Sequence, residues 1–294
     1  MRKIAVANLK GGVGKSTTTL FLSEHWSHFH NLRVLVIDLD PQANSSYMLL
    51  SRDGVEHAEK ARQTLPHLFE DLGNGGMRNA MSYVVLRASD VKEINDRTRR
   101  ALVSVVPSMP RVWFQQHDFD RAAYIRGRDP TTSCAILLAD FCREVEGQYD
   151  CVVFDCPPGF GTLARAALQL ADIVIAPTIA DYTSMRSLQD FATLGLSHTL
   201  QLDPTRQMYV VVSKFTGTIA QKQALDVLTR SYRVVPHPIP MRDQVQLAAE
   251  RQSTKQRTYA SKYERPLYRP LKPYVKGMSD WLHDAIFNRR VDSD

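Results

Sequence analysis

The sequence of 294 residues has only four cysteines and lacks any long apolar run. The cysteine spacings match neither paired CxxC zinc knuckles nor a secreted disulfide framework, so we expect reduced thiols in the core. The apolar runs are far shorter than the roughly 20 residues that a membrane-spanning helix needs. The N-terminus, MRKIAVANLKGG, has too few apolar residues for the core of a signal peptide. These absences predict a cytoplasmic protein without transmembrane helices.

Positive charge is concentrated near the C-terminus. Residues 251–276 contain eight Lys and Arg residues and one acid, a net charge of +7, whereas the whole chain carries +6 and the remainder therefore −1. Such a local block favours a polyanionic partner. With 44% hydrophobic and 23% charged residues, the chain is neither disordered nor fibrous and can bury a large core.

Short β-branched segments alternate with longer segments of helical periodicity. Strands are predicted at 3–8, 33–38, 102–106, 151–155, 173–176 and 208–213, and helices at 16–29, 131–146, 161–171, 183–200 and 219–230. This alternation predicts an α/β fold, a doubly wound, mostly parallel sheet with helices on both faces. We interpret residues 1–294 as a single domain, with a less regular elaboration at about 51–130 and a basic helical segment at about 251–290.

The segment LKGGVGKST at 9–17 joins the first predicted strand to the first predicted helix. In a glycine-rich turn that opens a helix, backbone N–H groups converge on an anion and the helix dipole favours negative charge. We therefore expect a nucleotide site in which Lys15 contacts the β- and γ-phosphates and Ser16 binds Mg²⁺. The predicted phosphate-binding residues are Lys10, Gly11, Gly12, Val13, Gly14, Lys15, Ser16 and Thr17.

Acidic residues end two other predicted strands. Asp38 and Asp40 lie two residues apart in VLVIDLDPQ and so project on the same side, and Asp155 ends the strand in YDCVVFD. Ligands of parallel α/β sheets bind at the carboxyl ends of the strands, and Mg²⁺ prefers oxygen ligands. We expect these carboxylates near the phosphates. The alternative for Asp38 and Asp40 is that they only cap a turn before Pro41.

The motif KGGVGKS at 10–16, with Leu9 where the standard loop has its first glycine, resembles the ParA/MinD family of deviant Walker A P-loop ATPases. The resemblance extends over roughly residues 1–50 and 145–250. It implies an ATP-sandwich homodimer in which Lys10 reaches the ATP of the other subunit. It also implies that Asp40 positions the attacking water and that Asp38 and Asp155 support Mg²⁺, with catalytic roles for Lys10, Lys15 and Asp40.

The same resemblance locates the remaining parts of an ATP site. The loop 157–161 corresponds to a switch that senses the γ-phosphate. The adenine-binding segments of the family correspond to 210–213 and 237–245, which makes Lys214, Pro240 and Met241 the predicted adenine contacts. The segment SKFTGT contains no GTP-type NKxD motif, and this favours adenine over guanine.

The basic block favours the DNA-partition branch of the family, because Lys and Arg that neutralise phosphates give sequence-independent, salt-sensitive binding. We expect nucleoid association and slow hydrolysis stimulated by a ParB-like adaptor protein. The alternative for the block is a solvated surface with its tyrosines packed inward. The predicted DNA-binding residues are Lys222, Arg230, Arg242, Arg251, Lys255, Arg257, Lys262 and Arg265.

Two other functions stay open. The main alternative is a MinD-like membrane-associated ATPase, since 278–290 has a short apolar face. That face includes Asp280 and Asp284, so we expect it to dock on the fold of the chain itself and consider membrane binding unlikely. A more distant alternative is a P-loop ligase. With the P-loop at residue 9, we expect no N-terminal helix-turn-helix domain.

Overall fold

The computed structural model describes residues 1–74, 76–94, 96, 100–250, 256–264 and 271–288. Its strands are β1 (Arg2–Val6), β2 (Arg33–Asp38), β3 (Leu102–Val106), β4 (Cys151–Asp155), β5 (Ile173–Ile179), β6 (Met208–Ser213) and β7 (Arg233–Val234). They form one seven-stranded sheet in the order β3-β2-β4-β1-β5-β6-β7, and every adjacent pair is parallel. The predicted doubly wound parallel fold is confirmed.

Helices cover both faces of this sheet. The α-helices are α1 (Lys15–His30), α2 (Asn44–Lys60), α3 (Leu65–Gly73), α4 (Val112–Ile125), α5 (Pro130–Glu144), α6 (Thr162–Leu170), α7 (Tyr182–Asp190), α8 (Pro204–Gln207), α9 (Ile219–Ser231), α10 (Asp243–Ala249) and α11 (Lys272–His283). A 3₁₀ turn spans Ala80–Tyr83, and π-helical turns span Phe191–Thr199, Ala260–Glu264 and Asp284–Asn288.

Alternate residues of each strand enter different cores. In β1, Ala5 packs into the core that contains α5 and α6, whereas Ile4 and Val6 pack into the core that contains α1 and α11. A strand that is buried on both faces must be apolar throughout, which explains the short β-branched runs. All four cysteines are free and buried, as expected.

The helix α1 is enclosed along most of its length, since every residue from Thr18 to Ser27 is buried. On one side α11 packs against it through the buried residues Val275, Met278 and Leu282. The C-terminal helix therefore docks on the fold, as expected. Among the described residues, no helix combines the length and apolar composition needed to cross a bilayer.

The carboxyl ends of the central strands meet at one edge. Asp38 at the end of β2 is in register with Asp155 at the end of β4, and Asp155 is also in register with Val6 at the end of β1. The glycine-rich loop follows β1 directly and leads into α1. Parallel strands thus bring the loop and both carboxylates together.

Candidate functional site

The loop between β1 and α1 is a glycine-rich turn that leads directly into the helix. Gly12 (φ 72°) and Gly14 (φ 89°) are in the left-handed region that favours glycine, and Gly14 is the N-cap of α1 with no side chain capping it. A cavity of about 280 Å³ lies over the loop. Its lining residues are Gly11, Gly12, Gly14, Lys15, Ser16, Thr17, Asp40, Gln42, Asn44, Met48, Pro158 and Lys214.

Lys15 lies at the floor of this cavity with 6% of its surface exposed. Its Nζ donates to the carbonyl oxygen of Lys10 at 3.1 Å. Burial lowers the pKa of Lys15, while the nearby charges of Asp155 and Asp40 oppose that shift. A desolvated ammonium group that faces a cavity is well placed to bind an anionic ligand.

Asp38 is fully buried and hydrogen-bonded to α2. Its Oδ2 accepts from the backbone N–H of Ser46 at 2.9 Å and from the Ser46 hydroxyl at 2.6 Å, and its Oδ1 accepts from the backbone N–H of Asp40 at 3.1 Å. Asp40 itself is 6% exposed and lines the cavity, so it is the acid of this pair that faces the cavity.

Asp155 is also fully buried, but its carboxylate accepts fewer hydrogen bonds than that of Asp38. Its Oδ1 accepts a long hydrogen bond of 3.4 Å from the Thr19 hydroxyl, and Oδ2 accepts no well-aligned hydrogen bond from the described residues. The hydroxyls of Ser16 and Ser45 lie near this carboxylate and oppose the rise in its pKa only in part. Burial, followed by the charge of Asp38, raises the pKa of Asp155. A buried carboxylate oxygen without a donor is costly, and an oxygen-seeking cation would satisfy it. Asp155 and Ser16 therefore fit a Mg²⁺ site.

Lys10 is oriented away from the phosphate cavity of its own chain. Its Nζ donates to the hydroxyls of Ser184 at 2.7 Å and Thr183 at 3.0 Å, and it lies 3.8 Å from Oδ1 of Asp181. These residues form the N-terminus of α7, which Asp181 caps. The Lys10 ammonium group is thus directed to α7, although the carbonyl oxygen of Lys10 still accepts from Lys15 beside the cavity.

The predicted switch loop contacts both the phosphate loop and the segment after α7. The backbone N–H of Gly159 donates to the carbonyl oxygen of Leu9 at 3.0 Å. The Phe160 ring packs so closely on Gly195 that a Cβ added there would lie 3.1 Å from the ring. Movement of this loop would therefore shift the Phe160 ring against Gly195, in the helical segment that follows α7.

A second cavity, of about 670 Å³, shares Gly14, Thr17, Met48 and Lys214 with the first. It is lined by the predicted adenine contacts Lys214, Pro240 and Met241. One wall is built by backbone pairing, because Phe215 donates to Ile239 at 3.0 Å and accepts from Met241 at 3.0 Å. Ile239 and Val245 of the lining lie in the predicted segment 237–245. The sequence interpretation missed the lining residues that lie outside the predicted segments, on separate elements with no shared motif. They are Thr18, Phe21, Met48, Thr216, Gln246 and Ala249.

The predicted DNA-binding set needs correction. Lys262 is buried, with its Nζ 2.8 Å from both Glu24 and Asp90, so it cannot contact DNA in this structure. Arg257 is paired with Asp90 at 2.6 Å and also donates to three carbonyl groups. The physical reason is that two acids distant in sequence neutralise these bases. Both residues are therefore structural.

Other bases of the predicted set differ in their surroundings. Lys222 and Arg230 are exposed on α9, although Arg230 pairs with Asp226 at 2.6 Å. Arg242 donates to the Tyr274 hydroxyl at 2.9 Å and lines the second cavity. Three further members, Arg251, Lys255 and Arg265, lie outside the described residues.

The geometry defines a P-loop nucleotide site, and comparisons with known proteins extend this conclusion. A protein-family model described as an AAA domain matches residues 1–201. The chain is 28% identical over 185 residues to the sporulation initiation inhibitor protein Soj of Bacillus subtilis, covering 63% of this chain and 61% of Soj. It is 27% identical over 201 residues to the chromosome partitioning protein ParA of Myxococcus xanthus, covering 68% of this chain and 58% of that protein.

These matches span less than two thirds of either relative's own length. Among solved structures, the fold is similar to an ATP complex of a McdA variant from Cyanothece, with a TM-score of 0.67, 20% identity and 96% of each chain covered. The chain belongs to the ParA/MinD family of P-loop ATPases.

Proposed function

We propose that the chain is an ATP-driven partition or positioning ATPase that dimerises on Mg-ATP. The observation that carries the proposal is the separation of the two lysines of the loop. Lys15 lies at the floor of the phosphate cavity, whereas Lys10 lies outside it and is held by hydroxyls at the start of α7. Because the Lys10 ammonium group does not line the phosphate cavity of its own chain, it can contact the phosphates bound by a second chain.

The chemistry of the site follows from its charges. Asp40 faces the cavity and would orient the attacking water, while Lys15 would neutralise charge that develops on the phosphates. Asp155 and Ser16 would hold Mg²⁺, with Asp38 supporting that region. When bound, Mg²⁺ would supply further neutralisation of phosphate charge. Lys214, Pro240 and Met241 would line the adenine site.

Two lysine substitutions test the dimer. In the presence of Mg²⁺ and a slowly hydrolysed ATP analogue, we expect Lys15→Ala to lose nucleotide binding, because the buried ammonium would no longer contact the phosphates. We expect Lys10→Ala to bind nucleotide and stay monomeric in light scattering. Lys60→Ala, at an exposed position on α2, is the control and should dimerise normally. A Lys10→Ala variant that still dimerises with nucleotide would contradict the sandwich assignment.

The dimer would bind non-specific DNA through exposed bases, remain with the nucleoid in the cytoplasm, and leave DNA when a ParB-like partner on the cargo stimulates its slow hydrolysis. Lys222 and Arg230 on α9 support this part of the proposal, together with the predicted bases outside the described residues. The buried apolar face of α11 argues against the membrane-associated alternative, because that face already packs on α1.

Co-sedimentation with DNA at several salt concentrations tests this surface. We expect Lys222→Glu and Arg230→Glu each to weaken binding and to reduce the slope of log affinity against log salt by about 1. The matched control is Arg52→Glu, since Arg52, like Arg230, is exposed and paired with an acid four residues away in the sequence. If the ATP-bound chain ignores DNA and binds anionic liposomes, the membrane-associated alternative is correct.

A further inference from the structure

A cluster of imidazole and carboxylate groups lies where α11 packs on the last turns of α1. Nε2 of His25 and Nε2 of His30 each lie 2.8 Å from Oδ1 of Asp280. A ligand atom from each residue lies within 4.8 Å of the other two. We propose that His25, His30 and Asp280 form a binding site for a divalent cation of the zinc class.

The donor set suits such a cation. Two imidazole nitrogens and one carboxylate oxygen are preferred ligands of Zn²⁺, and three protein ligands leave a fourth position for water. Zinc bonds of about 2.0–2.1 Å in tetrahedral geometry hold the ligand atoms about 3.3 Å apart. The two contacts of 2.8 Å therefore need to open by only about 0.5 Å.

Neighbouring side chains hold the two histidine rings in place, and the cluster is open to solvent on one side. Nδ1 of His25 lies 2.8 Å from the hydroxyl of the buried Tyr259, and metal-binding histidines commonly use their second nitrogen in this way. The His30 ring stacks on His283 at a centroid distance of 3.7 Å. These contacts fix both rings before a cation binds. The side chains of His30 and Asp280 are 22% and 28% exposed, which gives solvent access.

One neighbouring charge competes with a bound cation. The ammonium group of Lys276 contacts Oδ2 of Asp280. Its side chain is 49% exposed, so it can turn toward solvent when a cation takes its place at the carboxylate. Removal of the Lys276 charge should consequently strengthen cation binding. A cluster held only by hydrogen bonds would show no such gain.

This site is separate from the nucleotide site. The P-loop lies at the N-terminus of α1 and the cluster at its C-terminal end, and a helix of 16 residues extends about 24 Å. The ligands also differ, because Mg²⁺ selects oxygen ligands and the cluster offers two nitrogens. A cation here would link α1 to α11 and stabilise the packing of α11 on α1.

Zinc titration of the untagged full-length chain, stripped of metal and kept in excess Mg²⁺, tests the proposal. We expect one Zn²⁺ per chain, a higher melting temperature with zinc, and a visible absorption spectrum of tetrahedral Co²⁺ when cobalt replaces zinc. His30→Gln and Asp280→Asn should weaken zinc binding by about tenfold or more, and Tyr259→Phe by about tenfold. Lys276→Gln should bind zinc more tightly than the native chain.

His57→Gln is the control, because His57 is an exposed histidine on α2 away from the cluster. Asp280→Asn also removes hydrogen bonds and can lower the melting temperature without any effect on zinc. The quantity compared is therefore the rise in melting temperature that zinc causes in each variant, because a general loss of stability affects the zinc-free and zinc-bound protein alike. If zinc does not raise the melting temperature of the native chain, the proposal is wrong. Equal zinc affinity of His30→Gln and the native chain would overturn it as well.

Discussion

Asp38 and Asp155 are register partners at the ends of β2 and β4, and both side chains are fully buried. Ser46 satisfies Asp38, whereas one oxygen of Asp155 accepts no well-aligned hydrogen bond from the described residues. Burial raises the pKa of each acid, and the charge of Asp38 raises that of Asp155 further. Without a cation, this pair is a local source of instability.

Asp155→Asn should stabilise the nucleotide-free chain. The substitution removes a poorly satisfied buried charge, and we expect a gain on the order of 1 kcal/mol in the free energy of unfolding. The same variant should lose Mg²⁺-dependent ATP binding. Denaturant unfolding and calorimetric titration with Mg-ATP measure the two effects. Asp226→Asn, at an exposed position on α9, is the control for stability. A less stable Asp155→Asn variant would show that the carboxylate is already satisfied.

The advantage of Asp155→Asn should depend on pH. An acid whose pKa is raised on folding costs stability once the pH exceeds its ordinary value of about 4, and the cost grows until the pH passes its folded value. The difference in free energy of unfolding between Asp155→Asn and the native chain should therefore increase from about pH 5 to pH 8. Urea titrations across this range, without Mg²⁺, provide the measurement. A difference that does not change with pH would contradict the assignment.

Lys10→Ala should have little effect on the stability of the monomer. Lys10 donates to the buried Ser184, but its side chain is 34% exposed and its ion pair with Asp181 lies at the surface, where such a pair contributes about 0–1 kcal/mol. Nucleotide-free unfolding of Lys10→Ala and native protein measures the change. A loss well above 1 kcal/mol would mean that this lysine mainly holds α7 in place, and that its effect on dimerisation is indirect.

Lys262→Met should be strongly destabilising. It leaves Glu24 and Asp90 buried with one cation fewer, and removing one partner of a buried ion pair costs about 3–5 kcal/mol. Lys222→Met, at an exposed site, should change the free energy of unfolding by no more than about 0.5 kcal/mol. Urea unfolding compares them. If Lys262→Met is as stable as Lys222→Met and loses DNA binding, Lys262 belongs to the DNA surface after all.

Gly195→Ala should slow ATP turnover without weakening nucleotide binding. The added Cβ would lie 3.1 Å from the Phe160 ring and must displace it. Crowding of this kind costs about 1 kcal/mol, which corresponds to about fivefold in rate if it acts only on the transition state. Steady-state turnover and nucleotide affinity separate the effects. Gly73→Ala, where nothing lies within 4 Å of the added Cβ, is the control and should turn over normally.

The strand bounds of β2, β3, β4 and β6 were predictable from the sequence, because strands buried on both faces have apolar runs with clear ends. The helices between 44 and 125 were not. In α2, Ser51 has a non-helical backbone (φ 66°, ψ 173°), which interrupts the periodicity. In α4, the large apolar residues Trp113, Phe114 and Ile125 are exposed, so the pattern does not mark the buried face.

The phosphate loop and its carboxylates were predictable, since they form short motifs at strand ends. The role of Lys262 was not, because its partners Glu24 and Asp90 lie 238 and 172 residues away in the sequence. A run of positive charge indicates a polyanionic partner and cannot show that the fold itself supplies acids. The interpretation of 1–294 as one domain stays a prediction.

The central part of α1 depends on residues from the far end of the chain. Glu24 accepts from Lys262 at 2.8 Å and from the Tyr263 hydroxyl at 2.5 Å, and the Trp26 indole donates to the Ser279 carbonyl at 2.8 Å. A protein shortened to residues 1–250 would leave this acid and this indole without those partners. We therefore expect such a deletion to destabilise the rest of the fold, and a loss of activity in the shortened protein would report that destabilisation as well as any role of the deleted residues.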